Sequence, residues 1–380
     1  MLPLTVTMQT SAMPATAPPP PPPTSLITRP PPPPPPPSSA AATPSPLSLG
    51  PVPPPSAAVA IDHHANPSGE PVAAPPLSRV RLADMVAYDG TLTRTYVKAV
   101  EALSGSLMRH NAAIIELGSE DAALMRCGLE AARLYFRTRA QNSGKGSRGV
   151  YIYRAGRALE DWDSSPPCMA DIFRCMGKTA RAAVSVIARH LRLRSDVFNH
   201  LLDDNPLAAN EASSSVLVAT YSTLSWQSSK GSVGGGKPQQ NAEVEKGLLT
   251  LISSDSPGLQ VCDPNNRWYL ADGGSAPGDL LLLTGRALSH ATAGLRPAAS
   301  YRAAPDCSSG TAIGGRTSLA FRLMPQGNAI LDCSPIAAAG HVIPQSYVPI
   351  SVSQFMDDLS AEEDIPCNHS ENIYVSFKWY

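Results

Sequence analysis

The placing of proline constrains this chain more than any other feature: of its 40 prolines, 26 fall within the first 78 of 380 residues. Proline runs fill positions 18–23 and 30–37, and the charged residues before position 79 are Arg29, Asp62 and Glu70 alone. Proline has no amide hydrogen for a helix or sheet ladder, and the segment holds few large apolar side chains to bury. Residues 1–78 therefore read as a disordered proline-rich tail of polyproline II stretches separated by flexible Ala/Ser/Thr segments. A preformed polyproline helix loses little entropy on docking, so residues 14–55, with Arg29 beside a proline run, are a candidate ligand for a proline-recognition domain; a solvated spacer is the plainer reading. The remaining stretch of about 300 residues can bury a sizeable core as one large domain or two small ones.

Charge removes several classes of function. With 30 basic and 31 acidic residues there is no electrostatic footprint for nucleic acid or an anionic membrane. No uninterrupted apolar run of about 18 residues occurs, so no membrane span is expected. The opening MLPLTVTMQTSAMPA lacks the basic start of a secretory signal. Its acid-poor, Ser-rich character leaves an organellar transit peptide open, although Arg29 is the single arginine that would serve one. The seven cysteines, at 127, 168, 175, 262, 307, 333 and 367, form no CxxC pair, which points to free thiols in a reducing, cytoplasmic setting.

From Arg79 onward periodic patterns appear. Leu92, Tyr96, Val100, Leu103 and Leu107 are spaced for an amphipathic helix over 89–110. AAIIELG at 112–118 reads as a buried strand, Ser119 as the cap of a helix reaching about Asn142, and 149–155 as another strand. A long helix follows over 169–191, with Ile172, Met176, Ala180, Ala183 and Ile187 on one face, then a shorter one capped by Ser195. After Ser213 the helical period stops. Strands are expected at 216–222, 247–253, 258–263, 267–272, 279–285, 300–304 and 317–325, with a mobile glycine-rich loop at 227–240. A short helix is expected at 351–359, and the closing YVSFKWY as an edge strand or contact surface. Helices followed by closely spaced strands argue for a mainly β fold, a sandwich or jelly roll buttressed by N-terminal helices.

The segments GLLTLISSDSPGLQVCDPNNRWYLAD, PGDLLLLTGRALSH and RTSLAFRLMP, preceded by AAIIELGSEDAALMRCGLEAARLYF, together resemble in order and spacing the plant 2-oxoglutarate and Fe(II)-dependent dioxygenases, the group that includes isopenicillin N synthase. The resemblance spans about 79–325. It implies a double-stranded β-helix that holds iron by a His-x-Asp pair and a distant His, with the arginine of an RxS motif gripping the far carboxylate of 2-oxoglutarate. Such a metal shell leaves three faces of Fe(II) open for a bidentate oxoacid and dioxygen. Arginine suits the remaining carboxylate because its planar fork bonds both oxygens. Arg316 and Ser318 match the RxS positions, and Tyr221 is similar in place to a cosubstrate-holding tyrosine.

The chain departs from the resemblance at the metal. The slots for the His-x-Asp pair are Glu243 and Glu245 in NAEVEKGLLTL, and the slot for the second His is Tyr301, followed by Arg302. An all-oxygen set of this kind favours Mg, Mn or ferric iron over Fe(II). His290 is the alternative imidazole, with a satisfied histidine in a turn as its plainer role. The two glutamates could equally be a solvated strand end, Arg316 the partner of an acid inside the barrel, Asp279 a turn residue, and Trp226 and Trp268 packing groups. The segment PDCSSGTAIGG, between Tyr301 and the RxS motif, reads as a flexible insert.

The organisation expected is a tail at 1–78, a helical region at 79–212, a β-helix core at 213–335 and a C-terminal extension at 336–380. Two functions are compatible with it. One is a catalytically degenerate member of the superfamily that binds a carboxylate-bearing small molecule or a protein partner. The other is an active 2-oxoglutarate-dependent oxygenase acting on a small organic substrate through an unusual metal shell.

Overall fold

The computed structural model describes residues 75–86, 92–143, 148–157, 165–208, 210–222, 242–304 and 315–364. Every described residue belongs to one compact unit, Pro67–Tyr380. The tail through residue 74, Trp226 and the loop at 227–240, the insert at 305–314 and the closing YVSFKWY lie outside the described residues.

The N-terminal half alternates strand and helix. A short strand β1 (Arg79–Arg81) and a single helical turn α1 (Leu82–Met85) precede α2 (Arg94–His110). This helix starts later than its apolar spacing suggests, because the Thr93 side chain accepts from the Tyr96 amide at 3.1 Å and so sets the first turn. Leu92 is left outside and half exposed. Asn111, in the left-handed conformation with φ 58°, ends the helix and turns the chain into β2 (Ala112–Glu116). Next come α3 (Ser119–Ser143), β3 (Arg148–Tyr153) and α4 (Met169–His190). The expected face of α4, Ile172, Met176, Ala180, Ala183 and Ile187, is wholly buried. The short helix expected behind Ser195 is instead a turn followed by a 3₁₀ turn at Asn199–Leu201.

The C-terminal half supplies most of the sheet: β4 (Val216–Ser222), β5 (Glu243–Val244), β6 (Leu249–Ser254), β7 (Leu259–Cys262), β8 (Trp268–Leu270), β9 (Leu280–Thr284), β10 (Ser300–Ala303) and β11 (Arg316–Leu323). A six-residue helix α5 (Arg286–Ala291) joins β9 to β10. The chain continues through β12 (Ile330–Leu331), α6 (Ser334–Ala338), β13 (Ile350–Ser351) and α7 (Val352–Asp364). A seven-stranded sheet runs β1-β2-β9-β6-β11-β4-β3, and a four-stranded sheet runs β5-β10-β7-β8. Within the large sheet only the β1–β2 pairing is parallel.

Because side chains alternate across a strand, the large sheet has two different faces. One face, with Leu249, Leu251, Leu280, Leu282, Leu319, Phe321 and Leu323, packs against α2, α3 and α4 in the larger core. The other, with Ala112, Ile114, Ile252, Leu281 and Leu283, packs against Leu259, Val261 and Tyr269 of the small sheet. Two sheets enclosing their own apolar interior, with helices outside the larger one, is the jelly-roll arrangement expected from the strand-rich sequence. Each fully buried Leu, Ile or Phe in these layers contributes about 1.5–3 kcal/mol.

Candidate functional site

The two ends of β11 carry the site. Leu319, Phe321 and Leu323 point to the helices, so the alternate residues Arg316, Ser318, Ala320 and Arg322 point between the sheets; Ala320 packs there against the inner core. β11 is central in the large sheet, held by β4 and β6, so both arginines ride on rigid backbone.

At the Arg322 end, the three residues in the expected metal slots do meet. Tyr301 stands opposite Glu243 in the β5–β10 ladder, and its hydroxyl donates to Glu243 Oε2 at 2.7 Å. Glu245 follows β5 and is only 4% exposed; its carbonyl accepts from the Arg286 amide, and its own amide approaches the Ala299 carbonyl. Among them lies a cation that the sequence reading did not single out. Arg322 Nε is 3.5 Å from Glu245 Oε2, and Arg322 Nη2 is 3.4 Å from the Tyr301 hydroxyl. The Nε is buried, while 39% of the side-chain surface remains exposed. Burial lifts the Tyr301 phenol well above its usual range, and the Glu245 charge adds to that, so the hydroxyl keeps its proton. Burial pulls the Arg322 guanidinium down, but Glu245, Tyr301 and Glu243 together hold it above its ordinary value.

This donor set does not fit Fe(II). It offers no imidazole, its phenol stays protonated, and a guanidinium already neutralises the buried carboxylate. Among the described residues no group of three or more His, Cys, Asp or Glu could hold a metal ion. His290 is no substitute: its Nε2 lies 2.8 Å from the Val348 carbonyl, and its ring packs edge-on against Tyr347 and Phe355 near the C-terminal helix. It is a satisfied packing histidine, on α5 rather than in a turn.

At the Arg316 end, the guanidinium is gripped from within. Its Nε donates to the Ser256 carbonyl and its Nη2 to Asp272 Oδ2, both at 3.0 Å. Asp272, 4% exposed, also accepts from the amides of Gly258 and Leu259, so it ties the start of β11 to the β6–β7 turn. Ser318 Oγ is 2.6 Å from Thr220 Oγ1 on β4. Tyr221, the next residue of β4, is on the other face: its ring stacks on Phe136 of α3, with centroids 6.2 Å apart, inside the core shared with the helices. The structure therefore does not bring Tyr221 into the barrel interior beside Arg316 and Ser318. Asp279 ion-pairs with Arg79 at 2.6 Å, and the Arg302 guanidinium lies over the Trp268 ring.

Sequence reasoning missed Arg322 and Asp272. A signal for Arg322 was present, since it is six residues from Arg316 and so shares its strand face, a charge at an inward position of an otherwise apolar strand. Asp272 closes RWYLAD and carries no pattern of its own; its role depends on the β6–β7 turn folding onto it.

No protein-family model matches the sequence, and no curated protein does. Solved structures do. The chain is similar to a protein from Caulobacter crescentus assigned to the 2OG-Fe(II) oxygenase family, with a TM-score of 0.55 and 17% identity over 76% of this chain and 99% of that one. It is similar also to Neurospora crassa T7H, solved in complex with α-ketoglutarate, with a TM-score of 0.56 and 12% identity over 74% and 95% of the two chains. A third likeness is to JOX2 in complex with 2OG, Fe and JA, at a TM-score of 0.50 and 14% identity over 76% and 85%. The chain therefore has the fold of the 2-oxoglutarate/Fe(II) oxygenases. The similar structures include bacterial and fungal proteins and a dioxygenase for auxin oxidation from rice.

Proposed function

We propose that this barrel is a ligand-binding member of the 2-oxoglutarate oxygenase fold that does not perform iron-dependent oxidation, and that it takes a small carboxylate beside Arg316 and Ser318. The observation that carries the first half is Arg322, whose guanidinium lies between the buried Glu245 carboxylate and the Tyr301 hydroxyl. The second half is supported by Arg316, on the inward face of β11 with Ser318 two residues on. Among the described residues its Nε and Nη2 are engaged, which leaves Nη1 to meet a ligand carboxylate. The neighbours whose structures hold α-ketoglutarate make 2-oxoglutarate the first ligand to try.

The test uses the full chain with Fe(II), ascorbate and 2-oxoglutarate. Succinate release is expected to equal the no-protein control, while calorimetry without metal shows 2-oxoglutarate binding that Arg316→Gln removes. Stoichiometric iron together with succinate above the control would establish the competing reading, an active oxygenase with an atypical metal shell, which the retained Arg316 and Ser318 favour. Binding that is absent in both proteins would take the ligand role away from Arg316.

A further inference from the structure

We propose that the Arg322 guanidinium is the resident cation of this barrel, standing among the residues in the fold's metal slots and closing that position to divalent ions. The inference rests on the oxygenase-fold reading for the position of the slots, and on no ligand at Arg316, so a failure of 2-oxoglutarate to bind leaves it intact.

Three oxygen-bearing side chains from two neighbouring segments, Glu243, Glu245 and Tyr301, are gathered by the β5–β10 pairing. Arg322 reaches them from the opposite sheet: it belongs to β11, whose partners are β4 and β6, whereas β5 and β10 belong to the small sheet. The contact is thus between sheets, across the interior. A surface ion pair would be worth little, but Glu245 is only 4% exposed, and burying a carboxylate there is costly unless a cation faces it. A metal ion and a guanidinium are alternative answers to that one requirement. The guanidinium has the advantage of being tethered, so it needs no ion from solution, and the 8-residue β11 fixes its height in the barrel.

Replacing the charge should reopen the position. Arg322→Gln keeps hydrogen-bonding shape but leaves Glu245 uncompensated, and Mn²⁺ suits an all-oxygen set. In the full-length protein, wild type is expected to show no Mn²⁺-dependent change in melting temperature and no protein-bound manganese by electron paramagnetic resonance. Arg322→Gln should melt lower in metal-free buffer, recover on adding Mn²⁺ and bind the ion on the order of tenfold or more tightly than wild type. A double variant, Glu245→Gln with Arg322→Gln, should lose that manganese response while melting above the single variant, because no buried charge remains. If Arg322→Gln does not fold in metal-free buffer, refolding with Mn²⁺ is expected to rescue it. The proposal is overturned if wild type binds Mn²⁺ stoichiometrically, if folded Arg322→Gln gains no manganese affinity, or if the variant stays unfolded with and without Mn²⁺.

Discussion

At the scale of single residues, the barrel and its surroundings bury charge in two different ways. Asp272 and Arg316 are a compensated pair, with the remaining Asp272 acceptor capacity taken by the Gly258 and Leu259 amides. Asp272→Asn removes the charge and turns one acceptor into a donor, so a loss of about 2–3 kcal/mol is expected, discounted from a fully buried pair because the Arg316 side chain is 20% exposed. Urea unfolding would measure it. Among the described residues Arg296 has no carboxylate partner: it is 2% exposed, its Nη2 lies 2.7 Å from His190 Nδ1, and its buried Nε meets no hydrogen-bond partner there. Burial draws its pKa down to about 10. His190 is lowered too, first by burial and then by Arg296, and must be neutral at Nδ1 to accept the guanidinium bond. A histidine with a depressed folded pKa adds stability that is complete above its unfolded value, about 6.5, and is lost as pH falls below it. The melting temperature is therefore expected to drop as pH falls below about 6.5, and His190→Gln to flatten part of that drop while His110, also lowered, keeps the rest.

At the scale of elements, the junction of β6, β9 and α5 sets the height of Glu245. The Gly285 amide bonds to the Leu248 carbonyl and the Arg286 amide to the Glu245 carbonyl, which draws the end of β9 onto the start of β6. The approach is so close that a Cβ on Gly285 would stand 2.1 Å from the Gly247 carbonyl oxygen, which is backbone and cannot swing away. Gly285→Ala is expected to cost about 1–3 kcal/mol, lowering the melting temperature by roughly 2–4 °C per kcal/mol for a domain of this size. A melt equal to that of wild type would show that the junction is not needed to hold Glu245. These elements were legible in advance to different degrees. The α4 face and the strand at 216–222 follow from period alone, since Ile172 to Ile187 recur at helical spacing and Val216–Ser222 is bounded by turn residues. β1 was not legible, because three residues, Arg79–Arg81, carry too little pattern and pair only once β2 is beside them. Arg192, with φ 62°, lies just past the end of α4, and after Ser195 the chain forms turns and the 3₁₀ turn Asn199–Leu201 rather than the expected helix.

At the scale of the molecule, the proline-rich segment and the barrel differ in kind. Residues 1–78 hold 26 of the 40 prolines and few large apolar side chains to bury, so removal of residues 1–74 is expected to leave the circular-dichroism melt of the remaining chain unchanged. A fall of several degrees would show that the segment packs on the body. The same difference in scale separates what was readable from what was not. By itself the sequence determined where proline runs give way to periodic pattern, the change from helical to strand period, and the order of motifs that resembles the oxygenase fold, because each depends on spacing within a few residues or on local backbone limits. Glu243, Glu245 and Tyr301 could be picked out from that order. That their common neighbour is Arg322, 77 positions beyond Glu245 and on the other sheet, was decided by the tertiary structure alone. So was the burial of Arg316 against Asp272 and the turning of Tyr221 toward the helices. The physical reason is that a charge inside a barrel is answered by whichever group the closed fold places nearest, and two sheets must pack face to face before nearest has a meaning.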